Sequence, residues 1–232
     1  MNSATRQLTV LADESTSPLF AAPPEVFGVV EGPDGAVYFC DVSNHRIFRI
    51  DPTSEAITAI VGSGEPGNAG DGDPADAALV TQPYELRFDQ AGNLFFVDMQ
   101  AQVVRRVDHE TRLIATVAGD GSEGFGGDEG AATRAQLAKP HSIELSGDTL
   151  YIAYYNAGLR VIDISGELLG DLYRQGREIG YFLADDPQGF KPNARRTWGT
   201  MTHKGNIFFT DNNSGLWAVR LKPSVDGTGD SE

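Results

Sequence analysis

Apolar residues in this chain come in runs of five or six, each closed by an acid, an Asn or a glycine turn. NLFFVD (93–98), VVRRVD (103–108) and LIATV (113–117) follow one another across short polar breaks. Just ahead of them lies YELRF (84–88), and Asp89-Gln90-Ala91-Gly92 supplies the turn between, with Gly92 giving the backbone freedom that a tight turn needs. Short runs rich in β-branched and aromatic residues and bounded by turn formers predict strands. Four in succession predict a meander, lettered a to d from the inside outward.

The unit recurs. FGVVEGPDGAVYFCD (27–41), YELRFDQAGNLFFVD (84–98), HSIELSGDTLYIAYY (141–155) and WGTMTHKGNIFFTD (198–211) are four versions of it, and their opening residues Phe27, Tyr84, His141 and Trp198 fall at intervals of 57 residues. A fixed period of that length, made of short strands and Gly turns, predicts the blades of a β-propeller. The first unit continues with strands at 36–41, 46–51 and 57–61, and the third at 149–155, 158–164 and 167–173. The fourth has 206–211 and 215–221 but no outermost strand. Residues 7–11 (QLTVL) match that strand in character. The expectation is an all-β propeller of four blades, each of four antiparallel strands. Its ring is closed by the N-terminal strand 7–11 completing the last blade, which would remove the exposed edges. Residues 1–224 then form a single domain and 225–232 a flexible acidic tail.

Charge narrows the partners. Among 232 residues, 18 Lys and Arg face 33 Asp and Glu, a net charge of −15 spread along the chain. Such a surface repels phosphate backbones and anionic lipid, so neither nucleic acid nor a membrane is an expected partner. The one cysteine, Cys40, excludes an intrachain disulfide. No apolar run of signal-peptide length opens the chain and none of 18 residues occurs, so a cytoplasmic location is expected.

DVSNHRIFRIDP (41–52) and VAGDGSEGFGGDEGAATRAQLAKPHSI (117–143) resemble the NHL repeat family, the first through its D-x-x-N-H-R turn and the second through its stretch between blades. The second unit, DMQAQVVRRVD, keeps the Asp and loses the Asn-His-Arg. YIAYYNAGLRVIDIS (151–165), GYFLADDP (180–187) and NNSGLWAVRL (212–221) are similar to the LVIVD-type propeller repeat. The resemblances imply a propeller. They do not imply one function, because related propellers include lactonases, lyases and protein-binding modules.

Propeller geometry sorts the candidates. His45, in a b–c turn, and His141, at the start of a strand a, lie on the face that receives the d–a loops, while His109 and His203 lie on the opposite one. Three of these loops are long and are expected to wall the channel mouth. The mouth collects His141, Tyr154 and Glu85 as catalytic candidates, His141 or Tyr154 moving a proton beside a carbonyl and Glu85 orienting His141 or acting as base. Arg195 and Arg196 are placed to hold a substrate carboxylate. Tyr84, Tyr155, Trp198, Phe27 and His45 line the remainder of the substrate site. Asp41, Asp98 and Asp211, ending strands b, are read as turn-shaping acceptors.

The cofactor expectation is none or one divalent cation (Ca, Mg or Zn), with Glu25 and Asn212 as oxygen ligands at the mouth. The spacing of Glu25 from Asp41 is similar to that of the first ligand in the regucalcin/gluconolactonase family. The acidic loops 68–78 and 126–133 also invite a calcium reading. The function expected is a small-molecule lyase, isomerase or hydrolase acting by acid–base chemistry on a carbonyl- or carboxylate-bearing substrate. The alternatives are a scaffold propeller gripping a protein or peptide through Phe125, Phe182 and Phe190, and a metal-dependent lactonase-like hydrolase.

Overall fold

The structure is a computed structural model that describes residues 18–124, 134, 136–137, 139–154, 158–165, 178–184, 187–188 and 197–221. Its strands are β1 (Val26–Glu31), β2 (Val37–Asp41), β3 (Arg46–Ile50) and β4 (Ile57–Val61), then β5 (Pro83–Phe88), β6 (Leu94–Asp98), β7 (Val103–Val107) and β8 (Ile114–Ala118). They continue with β9 (Pro140–Ser146), β10 (Thr149–Tyr154), β11 (Gly158–Asp163) and β12 (Glu178–Phe182), and end with β13 (Thr197–His203), β14 (Asn206–Asp211) and β15 (Gly215–Val219). Three sheets of four strands and one of three result, each a meander in chain order. All pairings are antiparallel, with Val37 opposite Ile50 and Leu94 opposite Val107 at equivalent points of two blades. Strands β1, β5, β9 and β13 touch in sequence, so the a strands are innermost and the sheets radiate as blades.

Alternation builds the core between blades. Successive side chains of a strand point to opposite faces. Leu94 and Phe96 therefore pack back on Tyr38 and Cys40 of the first blade, while Phe95 and Val97 pack forward on Ile143 and Ile152 of the third. Leu159 and Val161 meet Ile207 and Phe209 of the fourth. Each fully buried Leu or Phe stabilises the fold by about 1.5–3 kcal/mol relative to exposure. Cys40 is fully buried, and that burial pushes its thiol well above the ordinary range.

Acids shape the turns. Asp41 Oδ1 accepts from the N–H groups of Ser43 and Asn44, and from that of Glu25 at the entry to the blade. Asp98 accepts from Thr81 and Gln82, and Asp211 from Asn213 and Ser214. These three acids are turn acceptors, as their place at the ends of strands b implied. On the opposite face, Asp51 and Asp108 do the same for the c–d turns, and N–H donation holds both carboxyls down at about 2.

Two expectations change. The outer strand of the third blade is β12, pairing Phe182 with Leu159 and Tyr181 with Arg160, not 167–173, which lie outside the described residues. Phe182 secures that choice by packing on Phe209 and Trp217, at 5.8 and 5.2 Å between ring centroids. It is half-buried against the core and not the exposed anchor expected; Phe125 and Phe190 lie outside the described residues.

The second change concerns the loop between β4 and β5. It does not wall the mouth but runs along the outer edge of the second blade. Gly72 N–H donates to Ile114 O at 2.8 Å, Ile114 N–H to Asp73 O at 3.0 Å and Ala75 N–H to Arg112 O at 3.0 Å. This covers an edge that would otherwise present unpaired backbone groups. Ala75, Ala78 and Val80 tuck from the loop into the core. Asp71 gives one oxygen to Arg105 at 2.7 Å and the other to Thr116 N–H at 2.9 Å, so this acid of the loop holds it to the second blade.

Closure by residues 7–11 lies outside the described residues, as does the tail 225–232. Among those described, Val29 of the first blade is 58% exposed and Leu216 of the fourth 71%, so the outward faces of the end blades are open. No described helix is long and apolar enough to cross a membrane.

Candidate functional site at the inner ends of the blades

The first residues of successive a strands come together as rings. Phe27 stacks on Tyr84 with centroids 4.3 Å apart and planes at 26°, and Tyr84 meets His141 at 5.2 Å and 39°. The 57-residue period produces this ladder, because equivalent positions on adjacent blades are neighbours around the axis. Phe27 is 47% exposed and His141 9%, so the ladder descends from an open aromatic rim to a buried imidazole.

Local backbone sets the imidazole. Lys139 takes the left-handed conformation, with φ of 52°, and its N–H donates to Gln102 Oε1 at 2.6 Å. Its carbonyl is thereby turned to His141 Nδ1 at 2.9 Å. A carbonyl only accepts, so the proton is assigned to Nδ1 and the lone pair to Nε2. Burial lowers the His141 pKa below the ordinary 6.5, offset in part by bonds to the Lys139 and Pro140 backbone. Burial thus favours the neutral ring, the form suited to accept a proton. The group orienting Nδ1 is the Lys139 carbonyl, in the place the sequence reading gave to Glu85.

Glu85 sits one position further along β5 and turns to a different set of partners. Its carboxylate pairs with Arg87 at 2.5 Å, and Arg87 reaches Glu144 of the next blade at 3.4 Å. Burial raises the Glu85 pKa, opposed by Arg87, the Ser142 hydroxyl and the Ile143 N–H. Ser142 Oγ accepts in turn from Thr200 N–H at 3.2 Å, linking three blades along the axis. Arg87 and Glu144 were missed in the sequence reading. The signal was available, since they lie one period apart on successive a strands.

Tyr154 ends β10 with its backbone paired to Pro140 and Gly158, which sets it one residue from His141 at the same end of the third blade. Its side chain, that of Trp198, and all of Tyr155, Arg195 and Arg196 lie outside the described residues.

His45 acts as a latch. It occupies the left-handed position of its b–c turn, with φ of 53°, and its Nδ1 bonds the Thr81 carbonyl just before β5. Gln102, one period later and also left-handed, bonds Lys139 just before β9, so the two do the same structural job. Glu25 accepts from Ser43 Oγ at 3.2 Å beside the first b–c turn, and Asn212 is exposed in the turn after β14. Among the described residues no three His, Cys, Asp or Glu side chains gather as a metal site.

No family model matches the chain. A stretch of 81 residues is 32% identical to the chloroplastic protein Suppressor of Quenching 1 of Arabidopsis thaliana, covering 35% of this chain and 8% of that one. The chain thus spans under a tenth of that relative. Among solved structures, a protein of unknown function from Bacteroides thetaiotaomicron superposes with a TM-score of 0.52 at 22% identity, over 68% of this chain and 39% of that one. The virginiamycin B lyase of Staphylococcus aureus, a β-propeller, superposes with a TM-score of 0.50 at 14% identity, over 88% of this chain and 59% of that one. At these identities the likeness is one of fold, and it makes this chain an all-β assembly of propeller blades.

Proposed function

We propose that the chain is a small-molecule enzyme of the lyase or hydrolase kind, working by acid–base chemistry at the inner ends of its blades. The observation that carries this reading is the ladder from Phe27 through Tyr84 to a buried His141 whose Nδ1 is committed to a carbonyl. Aromatic faces take up the apolar part of a ligand, and a neutral imidazole at the inner end accepts a proton from the carbon beside its carbonyl. Glu85, held by Arg87, completes a polar floor, and Tyr154, next to His141 along the strand end, is the proton donor in this scheme. Arg195 and Arg196 would hold a substrate carboxylate. The fold likeness to a lyase fits this reading and does not carry it.

The test is a panel of lactones, cyclic esters and β-substituted carboxylates, followed by mass spectrometry for ring opening or elimination. We expect turnover with one class, reduced at least a hundredfold in His141→Ala (about the contribution of one acid–base group) and less than tenfold in His45→Gln. Unchanged turnover in His141→Ala removes the histidine from the mechanism. Absence of turnover across the panel overturns the enzyme reading in favour of a binding propeller.

A further inference from the structure

The end blades carry two halves of an interface that the chain already makes three times. Each internal contact presses the forward face of one blade on the backward face of the next. On the second blade the backward face is Leu86, Leu94 and Phe96, all buried against the first. One period earlier the same positions are Val29, Val37 and Phe39. Here no blade precedes them among the described residues: Phe39 is buried, with Phe20 packing on its neighbour Phe48, but Val29 is 58% exposed where Leu86 is fully buried. With Phe20, Pro24, Val26 and Ile50 they form an open apolar groove of about 220 Å³.

The other end mirrors it. The forward face of the fourth blade presents Met201, 57% exposed, and Leu216, 71% exposed. Glycines report the same vacancy. A Cβ on Gly28 would meet Glu85 Cα at 3.0 Å and Leu86 Cδ2 at 3.2 Å, because the second blade presses on it. Gly199 stands at the same position three periods later, and among the described residues a Cβ there would meet nothing nearer than Thr210 Oγ1 at 4.0 Å.

We propose that these two faces bind a second copy of this chain head to tail, the first blade of each copy packing on the fourth blade of the other. The argument is continuity: both surfaces extend an interface already packed between blades 1 and 2, 2 and 3, and 3 and 4, and a second copy offers both missing halves at once. A contact between unlike faces gives a closed ring when the rotation per blade divides the circle. Two copies make eight blades, within the usual range for propellers. The blade-facing positions Val29, Val37, Phe39, Met201 and Leu216 carry no charge, and Glu31, cross-strand from Val37, is the acid that borders this face of the first blade.

Sedimentation equilibrium of the purified 232-residue chain tests this. The expected mass is twice the 24.9 kDa of one chain. Val29→Lys and Leu216→Lys should each shift it to that of the monomer with an unchanged circular dichroism spectrum, since both side chains are exposed. Mixed together, the two variants should recover association through the one intact pair of faces, Val29 of one against Leu216 of the other. A wild-type monomer overturns the proposal, and protection of Val29 in that monomer would show that residues 7–11 close the ring within one chain. A dimer insensitive to both substitutions, or a growing filament in place of a dimer, overturns it equally.

Discussion

Leu86→Ala is expected to lower folding stability by about 3 kcal/mol, and Val29→Ala by less than about 0.5 kcal/mol. The two residues occupy one position of the repeat, 57 residues apart. Leu86 is fully buried among Cys40, Ile47 and Phe96, so truncation leaves a cavity in the core between the first two blades. Val29 stands 58% exposed, and its truncation removes little contact. Urea denaturation at a loading low enough to keep the chain monomeric reads both as shifts of the midpoint at constant slope. Equal losses would mean that the face of the first blade is covered within the chain.

Arg105→Met is expected to cost about 3 kcal/mol, chiefly by removing the buried guanidinium that holds the Leu79 carbonyl, while the Ala69 carbonyl keeps the Leu79 N–H. The Arg105 side chain is fully buried in β7 and donates to Leu79 O at 2.9 Å and Ala69 O at 3.3 Å, besides Asp71. Asp71 is half exposed and recovers water, so its charge adds little to the loss. Arg105→Lys restores less than half, because one ammonium cannot span the three acceptors of the guanidinium fork. Thermal melts give the magnitude. Hydrogen exchange gives the location: protection lost first at Gly72 and Ile114 would show that Arg105 holds the loop to the blade edge. A fully stable Arg105→Met protein would mean the loop holds without it.

The period of 57 residues made most of the fold legible, because the turn residues, strand alternation and axial ring positions all repeat with it. The b-strand acids Asp41, Asp98 and Asp211 were readable for the same reason: an acid at a strand end beside a tight turn has backbone N–H groups within reach. The outer strand of the third blade was not. Residues 167–173 and 178–182 have similar apolar content, and the contact of Phe182 with Phe209 and Trp217, which selects the second, is tertiary. The course of the loop between β4 and β5 was hidden too. Its glycines and acids look like a surface lid, yet Asp71 finds Arg105 34 positions away, and nothing local announces the pair. At the site, the ladder was legible from the period. The commitment of His141 was not, since it depends on the left-handed Lys139 and its bond to Gln102.

In the proposed function His141 is a neutral base with its Nδ1 committed to the Lys139 carbonyl. The most direct measurement is a nitrogen-15 NMR titration of the four histidines, with His141→Gln assigning the resonance. A His141 pKa below 6.5 and a protonated Nδ1 at pH 7 are expected. By linkage, the unfolded chain then takes up a proton at a higher pH than the folded one. The contribution of His141 is present above 6.5 and is lost as pH falls through its folded value. An imidazolium at pH 7, or a proton resident on Nε2, would contradict the site as described.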